Sequence, residues 1–146
     1  MKIMVIGGGG REHALVWSLA KSPVAEEILC VPGNAGIAGI ARSIPARGND
    51  LEAILAIVAR EQPGLLVIGP EVPLALGLVD ELQRRGVRVF GPTAAAAQLE
   101  SRKSFAKDFM RRWEIPTAAY AVCRSLEEVE QELPRFAPQV PSMPRS

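Results

Sequence analysis

Four consecutive glycines, Gly7, Gly8, Gly9 and Gly10, follow directly on an apolar run at residues 3–6 and directly precede an amphipathic stretch at 11–21. Each glycine costs roughly 0.5–1 kcal/mol more backbone entropy than alanine on folding, so such a run interrupts regular structure rather than continuing it. Strand, glycine turn, helix is therefore the expected opening. The apolar run is too short for the core of a secretory signal before the glycines end it.

Beyond this opening, short apolar runs at 28–31, 65–68 and 87–90 alternate with helical patterns at 51–60 and 74–85, the last closed by Gly86 in a C′ position. A loop fills the interval between 31 and 51. Leu51, Ile54, Leu55 and Val58 fall at i, i+3, i+4 and i+7, and Asp50 stands where an N-cap belongs. The alternation predicts βαβ units, an α/β fold with a parallel sheet, because parallel neighbours need a crossover long enough to hold a helix.

Further along, Ser101 is expected to cap a helix with Phe105, Ala106, Phe109, Met110 and Trp113 as its core-facing side and Pro116 after its end. Residues 118–122 read as a strand and 125–133 as a helix. The final stretch, 134–146, holds four closely spaced prolines and predicts a disordered tail.

With 146 residues, 48% hydrophobic and 23% charged, the chain has the material for one globular core. Seventeen Lys and Arg against sixteen Asp and Glu leave a net charge of +1, which gives no reason to expect nucleic acid or a membrane surface as a partner. No apolar stretch approaches the roughly 20 residues that span a bilayer, so a cytoplasmic protein is expected. Cys30 and Cys123 are far apart and lack metal-ligand spacing, which predicts two reduced, packed thiols.

In an open parallel sheet the strand-to-helix loops gather at the carboxyl edge, where ligands bind. Those loops are 7–12, 32–36, 69–74 and 91–93, each rich in Gly or Pro. Bare amides at the start of a helix suit an anion, and a phosphate is the natural guest of Gly7 to Gly10. The dinucleotide fingerprint G-x-G-x-x-G fails: counted from Gly7 its last position is Glu12, from Gly8 it is His13, and the second strand ends in Pro32, Gly33 and Asn34 rather than an acid.

Individual side chains at this edge keep two readings each. Arg11 either bonds a phosphate or lies in solvent. Asn34 is a turn-former by chemistry and a ligand donor by position. Glu71, between Pro70 and Pro73, either accepts bonds from a sugar or an amine or is a solvated loop residue. His13, the one histidine, is expected to make a structural hydrogen bond. Lys103, Lys107 and Arg111 recur at i, i+4 and i+8, a solvated face by spacing alone. No catalytic triad, metal cluster or carboxylate pair can be assembled, so no catalytic residue and no metal ligand is assigned.

The string Val5-Ile6-Gly7-Gly8-Gly9-Gly10-Arg11-Glu12-His13-Ala14 closely resembles the opening of the glycinamide ribonucleotide synthetases, also called phosphoribosylamine-glycine ligases. Pro32-Gly33-Asn34-Ala35-Gly36, Gly69-Pro70-Glu71-Val72-Pro73-Leu74, Phe90-Gly91-Pro92-Thr93 and Ala97-Gln98-Leu99-Glu100 resemble later segments in order, as do residues 101–110 and 115–118. The resemblance covers residues 1 to about 120. It implies a Rossmann-like substrate-binding domain over 1–100, with helices on both faces of its sheet. A linker helix and the start of an ATP-grasp domain over 101–133 would follow.

The family ligates glycine to 5-phosphoribosylamine through a glycyl phosphate, using ATP with Mg²⁺ or Mn²⁺, as a monomer acting on small molecules. By the resemblance, Gly8, Gly9, Gly10, Arg11, Glu12, Asn34 and Glu71 face the phosphoribosylamine, and Lys103 faces the ATP phosphates. The family's Lys-Ala-Asp-Gly segment, its glycine-rich ATP loop and its metal-binding Glu and Asn have no counterparts here.

From about Gln139 the residues are unrelated to the family. The expectation is a truncated or frameshifted chain that is inactive in ligation alone. Two alternatives stand beside it: a non-catalytic phosphosugar- or nucleotide-binding module, and another ATP-grasp ligase. Translation of the downstream DNA in its other two frames should return a Lys-Ala-Asp-Gly-like segment, and its absence from both would remove the frameshift expectation.

Overall fold

The computed structural model describes residues 1–47 and 49–136. The chain divides into two compact units, Met1–Arg102 and Lys103–Ser146. In the first, five parallel strands, β1 (Lys2–Gly7), β2 (Glu27–Pro32), β3 (Arg42–Ser43), β4 (Leu65–Ile68) and β5 (Val89–Phe90), lie in the order β3-β2-β1-β4-β5. β1 is central, and Ile3, Met4, Val5 and Ile6 are each no more than 2% exposed. A strand covered on both faces has no need of alternation, which is why this segment reads as an unbroken apolar run.

The helices are α1 (Gly10–Leu19), α2 (Ala35–Ala38), α3 (Leu51–Glu61), α4 (Glu71–Ala75), α5 (Leu78–Arg84) and α6 (Ala94–Ser101). They sit on both sheet faces, as expected. On one, Met4, Ile6, Leu29, Leu66 and Ile68 pack with Ile54, Ile57 and Val58 of α3 and Leu78, Val79 and Leu82 of α5. On the other, Val5, Cys30 and Val67 pack with Val16 of α1 and Ile37 of α2. Asp50 caps α3 by accepting from the Ala53 amide at 3.0 Å, and Gly86 follows α5 with a φ of +73°.

Several expectations are corrected. The interval between 31 and 51 holds α2 and β3, whose two strand residues are too few to show any periodicity. The helix expected over 74–85 begins earlier, as α4, and breaks at Gly77, whose φ of +85° a helix cannot contain. The strand expected over 87–90 is confined to Val89–Phe90. Ser101 does not open a helix: it closes α6, its hydroxyl donating to the Ala97 carbonyl at 3.0 Å.

In the second unit α7 (Lys103–Arg112) and α8 (Leu126–Glu132) precede a 3₁₀ turn at Leu133–Arg135. Residues 118–122 form no strand, because no described segment of the unit offers them a ladder to pair with. The stripe expected to be core is only partly covered: Ala106 is buried, Phe105, Phe109 and Met110 are half-buried, and Trp113 is 62% exposed. Lys107 is not simply solvated, since its Nζ donates to Thr117 Oγ1 at 2.6 Å and to the Ala118 carbonyl at 3.0 Å. Of the expected tail, Pro134 and Arg135 lie in the 3₁₀ turn and residues 137–146 lie outside the described residues. No helix among the described residues is long and apolar enough to cross a membrane.

The short edge strand β3 is held by charge. Arg42 Nη2 reaches Glu61 Oε2 at 2.6 Å and Glu27 Oε1 at 3.0 Å, joining β3 to the end of α3 and the start of β2. Glu61 also meets Arg60 at 3.1 Å and Lys2 at 3.8 Å. Arg42, above all, draws the Glu61 carboxyl down from its ordinary 4.5 to about 2. A depressed carboxyl contributes stability that is complete above its unfolded value and is lost as pH falls towards the folded one. Urea midpoints should therefore fall between pH 4.5 and about 2, and Arg42→Ala should flatten that part of the profile; an unchanged slope would show that the clamp carries none of it.

Candidate functional site

Strand order reverses beside β1, so the crevice between the carboxyl ends of β1 and β4 is the topological switch point of the sheet. It is bounded by residues 7–12 after β1 and 69–71 after β4, with 32–36 after β2 alongside. Glu12, in the first turn of α1, fills its floor. The side chain is 4% exposed, and its Oε2 accepts from the Gly9 amide at 2.7 Å, as the second half of a capping box would.

Three of the four glycines owe their identity to packing. A side-chain carbon at Gly7 would overlap the Glu12 side chain, and Gly7 has a φ of +130° in addition. One at Gly9 would come within 2.9 Å of Glu12 Oε2, and one at Gly8 within 2.5 Å of the Gly33 carbonyl oxygen. Gly69, across the crevice, is constrained like Gly7, since a side-chain carbon there would overlap Glu12 Oε1. Gly10 alone faces open space, with nothing within 4 Å. The surface the run can offer to an anion is therefore narrower than four glycines suggest. It comes down to the first-turn amides from Gly10 onward, which no intrahelical carbonyl can satisfy.

Asn34 does the work expected of a turn-former and also ties two loops together. Its Oδ1 caps α2 by accepting from the Ile37 amide at 2.9 Å, and its Nδ2 donates to the Gly8 carbonyl at 2.9 Å. The Gly33 amide and the Cys30 thiol both donate to the Gly7 carbonyl, at 3.1 and 3.2 Å. Burial pushes that thiol up to about 11, in keeping with an unreactive, packed cysteine. Glu12 Oε1 and Ser43 Oγ are buried without a hydrogen-bond partner among the described residues. The His13 ring packs on Gly36, and no hydrogen bond links it to another described residue, contrary to expectation.

Above this floor lie exposed charges. Arg11 Nη2 stands 3.6 Å from Glu71 Oε2 and Arg11 Nη1 stands 3.7 Å from Glu100 Oε1, so one guanidinium is shared by two carboxylates. Glu71 is the first residue of α4 rather than part of a loop. Glu100 comes from α6, whose start is fixed by Thr93 and by Asp80 Oδ2, which accepts from the Ala94 amide at 2.8 Å. Sequence reasoning assigned no role to Glu100, because nothing local marks a helical glutamate as a neighbour of Arg11. Gly8, Gly9, Gly10, Arg11, Glu12, Asn34 and Glu71 are thus brought together. Lys103 opens α7 in the second unit, with its side chain exposed.

A hollow of about 480 Å³ at the amino edge of the sheet, lined by Leu55, Val58, Gln62, Leu82, Arg85 and Arg88 among others, is a poorer anion site. The carboxyl ends of α3 and α5 border it, where the helix dipole opposes negative charge, and Arg85 is paired with Glu81 at 2.7 Å.

Gly69→Ala should cost roughly 1–3 kcal/mol, because the Glu12 carboxyl is enclosed and cannot move aside freely. Gly10→Ala should be neutral or stabilise by up to about 1 kcal/mol. Thermal midpoints of the two variants would test this, and equal effects would show that the packing asymmetry has no energetic meaning.

Comparison with known proteins gives a consistent result. Residues 1–100 match the family described as "Phosphoribosylglycinamide synthetase, N domain". The phosphoribosylamine–glycine ligase of Xanthomonas campestris is 56% identical over 124 residues, 84% of this chain and 29% of the relative. The crystal structure of the phosphoribosylamine–glycine ligase of Thermotoga maritima superposes with a TM-score of 0.70 at 32% identity, covering 94% of this chain and 31% of that one. N5-carboxyaminoimidazole ribonucleotide synthetase from Thermus thermophilus, at 22% identity and a TM-score of 0.69, shares the fold. This chain thus spans about three tenths of the length of the curated relatives it matches.

Proposed function

The chain belongs to the phosphoribosylglycinamide synthetase N-domain family, and from that membership we propose that its first unit is the half-site for the amine substrate of an ADP-forming ligase. The substrates are 5-phosphoribosylamine, glycine and ATP, and the product is glycinamide ribonucleotide, in purine biosynthesis. The observation that carries the proposal is the exposed amino end of α1. Gly10 leaves open space over amides without helical partners, and Arg11 stands beside them with its side chain 65% exposed. A sugar phosphate meets both groups there.

Glu71 is proposed to face the sugar or the amine. Gly8, Gly9, Glu12 and Asn34, which the resemblance also turns towards the substrate, support the loop from beneath. The proposal assigns the second unit to the start of an ATP-grasp domain, with Lys103 meeting the ATP phosphates, in a monomeric cytoplasmic enzyme. Among the described residues no group of three or more His, Cys, Asp or Glu gathers to hold a metal ion.

Titration with ribose 5-phosphate should shift the backbone amide resonances of Gly10 and Arg11 while leaving those of α3 in place. Gly10→Ala should weaken the ligand by about ten-fold or more while raising or preserving the thermal midpoint, since the added carbon enters only the ligand's space. Shifts absent from the α1 start would remove the phosphate reading. An ATP-dependent glycine ligation assay distinguishes a complete activity from binding alone.

A further inference from the structure

We propose that Glu12 and Asn34 form an orientation lock on one peptide plane, the plane joining Gly8 to Gly9, and that anion binding by the loop depends on this lock although neither residue touches the ligand. The inference rests on the phosphate reading above. Two hydrogen bonds carry it: Asn34 Nδ2 donates to the Gly8 carbonyl at 2.9 Å, and the Gly9 amide donates to Glu12 Oε2 at 2.7 Å. That carbonyl and that amide belong to the same trans peptide, so they point in opposite directions. One plane is thus held at its two ends, from the loop after β2 and from the first turn of α1.

A lock is needed because of the glycines. Rotation of a peptide plane by half a turn changes ψ of the residue before it and φ of the residue after it, and hardly moves the rest of the chain. Gly9 has a φ of −87°, and the half-turn would carry it into the positive region that glycine alone adopts freely. With glycine on both sides no side chain of the loop itself opposes the rotation, and both signs of φ are open to the backbone. The side chains break the tie: a carboxylate only accepts hydrogen bonds, and the NH₂ of an amide only donates. The reversed plane would set the Gly8 carbonyl against the Glu12 carboxylate and the Gly9 amide against the Asn34 NH₂.

Both holders are themselves fixed. Asn34 cannot exchange its oxygen for its nitrogen, because Oδ1 already takes the Ile37 amide at 2.9 Å. Glu12 cannot withdraw, because Gly7, Gly9 and Gly69 close around it and it is 4% exposed. With the plane locked, the Gly8 carbonyl is bound to Asn34 and the positive end of the plane's dipole is bound to Glu12. The anion face is then set by the amides of Gly10 and Arg11. Reversal would invert a peptide dipole immediately beside that face.

Two near-isosteric substitutions test the lock. Asn34→Asp keeps an acceptor for the Ile37 amide and puts an acceptor where the donor to Gly8 stood. Glu12→Gln keeps the shape but exchanges a charged acceptor for a neutral amide, whose oxygen bonds the Gly9 amide more weakly and whose NH₂ can bond the Gly8 carbonyl of a reversed plane. The double variant has the net charge of the parent and is complementary to the reversed plane. In the intact 146-residue chain, hydrogen exchange at the Gly9 amide is read without ligand, exchange at Val5 in β1 reports global stability, and ribose 5-phosphate affinity is read from the Gly10 shift.

Each single variant should speed Gly9 exchange by about ten-fold or more relative to Val5 and weaken ribose 5-phosphate by a similar factor. For Glu12→Gln the weakening runs against simple charge, since removing a negative group near an anion site would by itself tighten binding. The double variant should recover Gly9 protection and leave affinity low. Exchange at Gly9 that is unchanged in the single variants, that quickens only in step with Val5, or that worsens additively in the double variant overturns the lock. Recovery of affinity together with protection in the double variant overturns its link to the anion. Absence of ribose 5-phosphate binding to the parent chain removes the phosphate reading, and the exchange data then decide the lock alone.

Discussion

One buried carboxylate organises the carboxyl edge of this sheet at its switch point. Glu12 lies where two loops from neighbouring central strands diverge, and an ionisable group in that position is costly unless its oxygens find donors. Oε2 finds the Gly9 amide, Oε1 finds no donor among the described residues, and the glycines at 7 and 69 leave the side chain room. Remove the carboxylate and the crevice floor is a void enclosed by residues that have no side chains to fill it. The turn into α1 and the start of the loop after β4 both pack against this one group.

A glycine run is therefore an ambiguous signal. Read along the chain, Gly7 to Gly10 suggest four positions kept bare for a ligand. Read in space, Gly7 and Gly9 are bare for Glu12, Gly8 is bare for the Gly33 carbonyl, and Gly10 alone is bare towards solvent. The functional and packing explanations do not compete over the run as a whole; they divide it. The same holds for Asn34, whose cap on α2 and bond to Gly8 leave its turn chemistry and its place beside the site as parts of one role.

What was legible in the sequence followed the range of the interaction. Asp50 capping α3, Gly86 ending α5 and the apolar stripe of α3 are local signals, and the structure agrees with them. The parallel sheet followed from alternation. β3 was invisible because Arg42 and Ser43 carry no pattern; its place is set by pairing to β2 and by the Arg42 clamp on Glu27 and Glu61. Residues 118–122 look like a strand by composition, yet a strand is a relation to a neighbour. Glu100 joined the site from a position remote in sequence, where no spacing rule could find it, and Gly69, placed at the edge by its loop, carried no sign of its packing on Glu12.

The sharing of Arg11 between Glu71 and Glu100 bears on how the edge responds to ionic strength. A lone arginine attracts an anion less as salt rises. Here an arriving anion competes with two carboxylates for the same guanidinium, and salt screens those resident pairs as well. The two effects oppose each other, so attraction to the edge is buffered against the medium. For the proposed sugar phosphate, recognition would then fall more heavily on the backbone amides of α1, whose directionality salt does not erase.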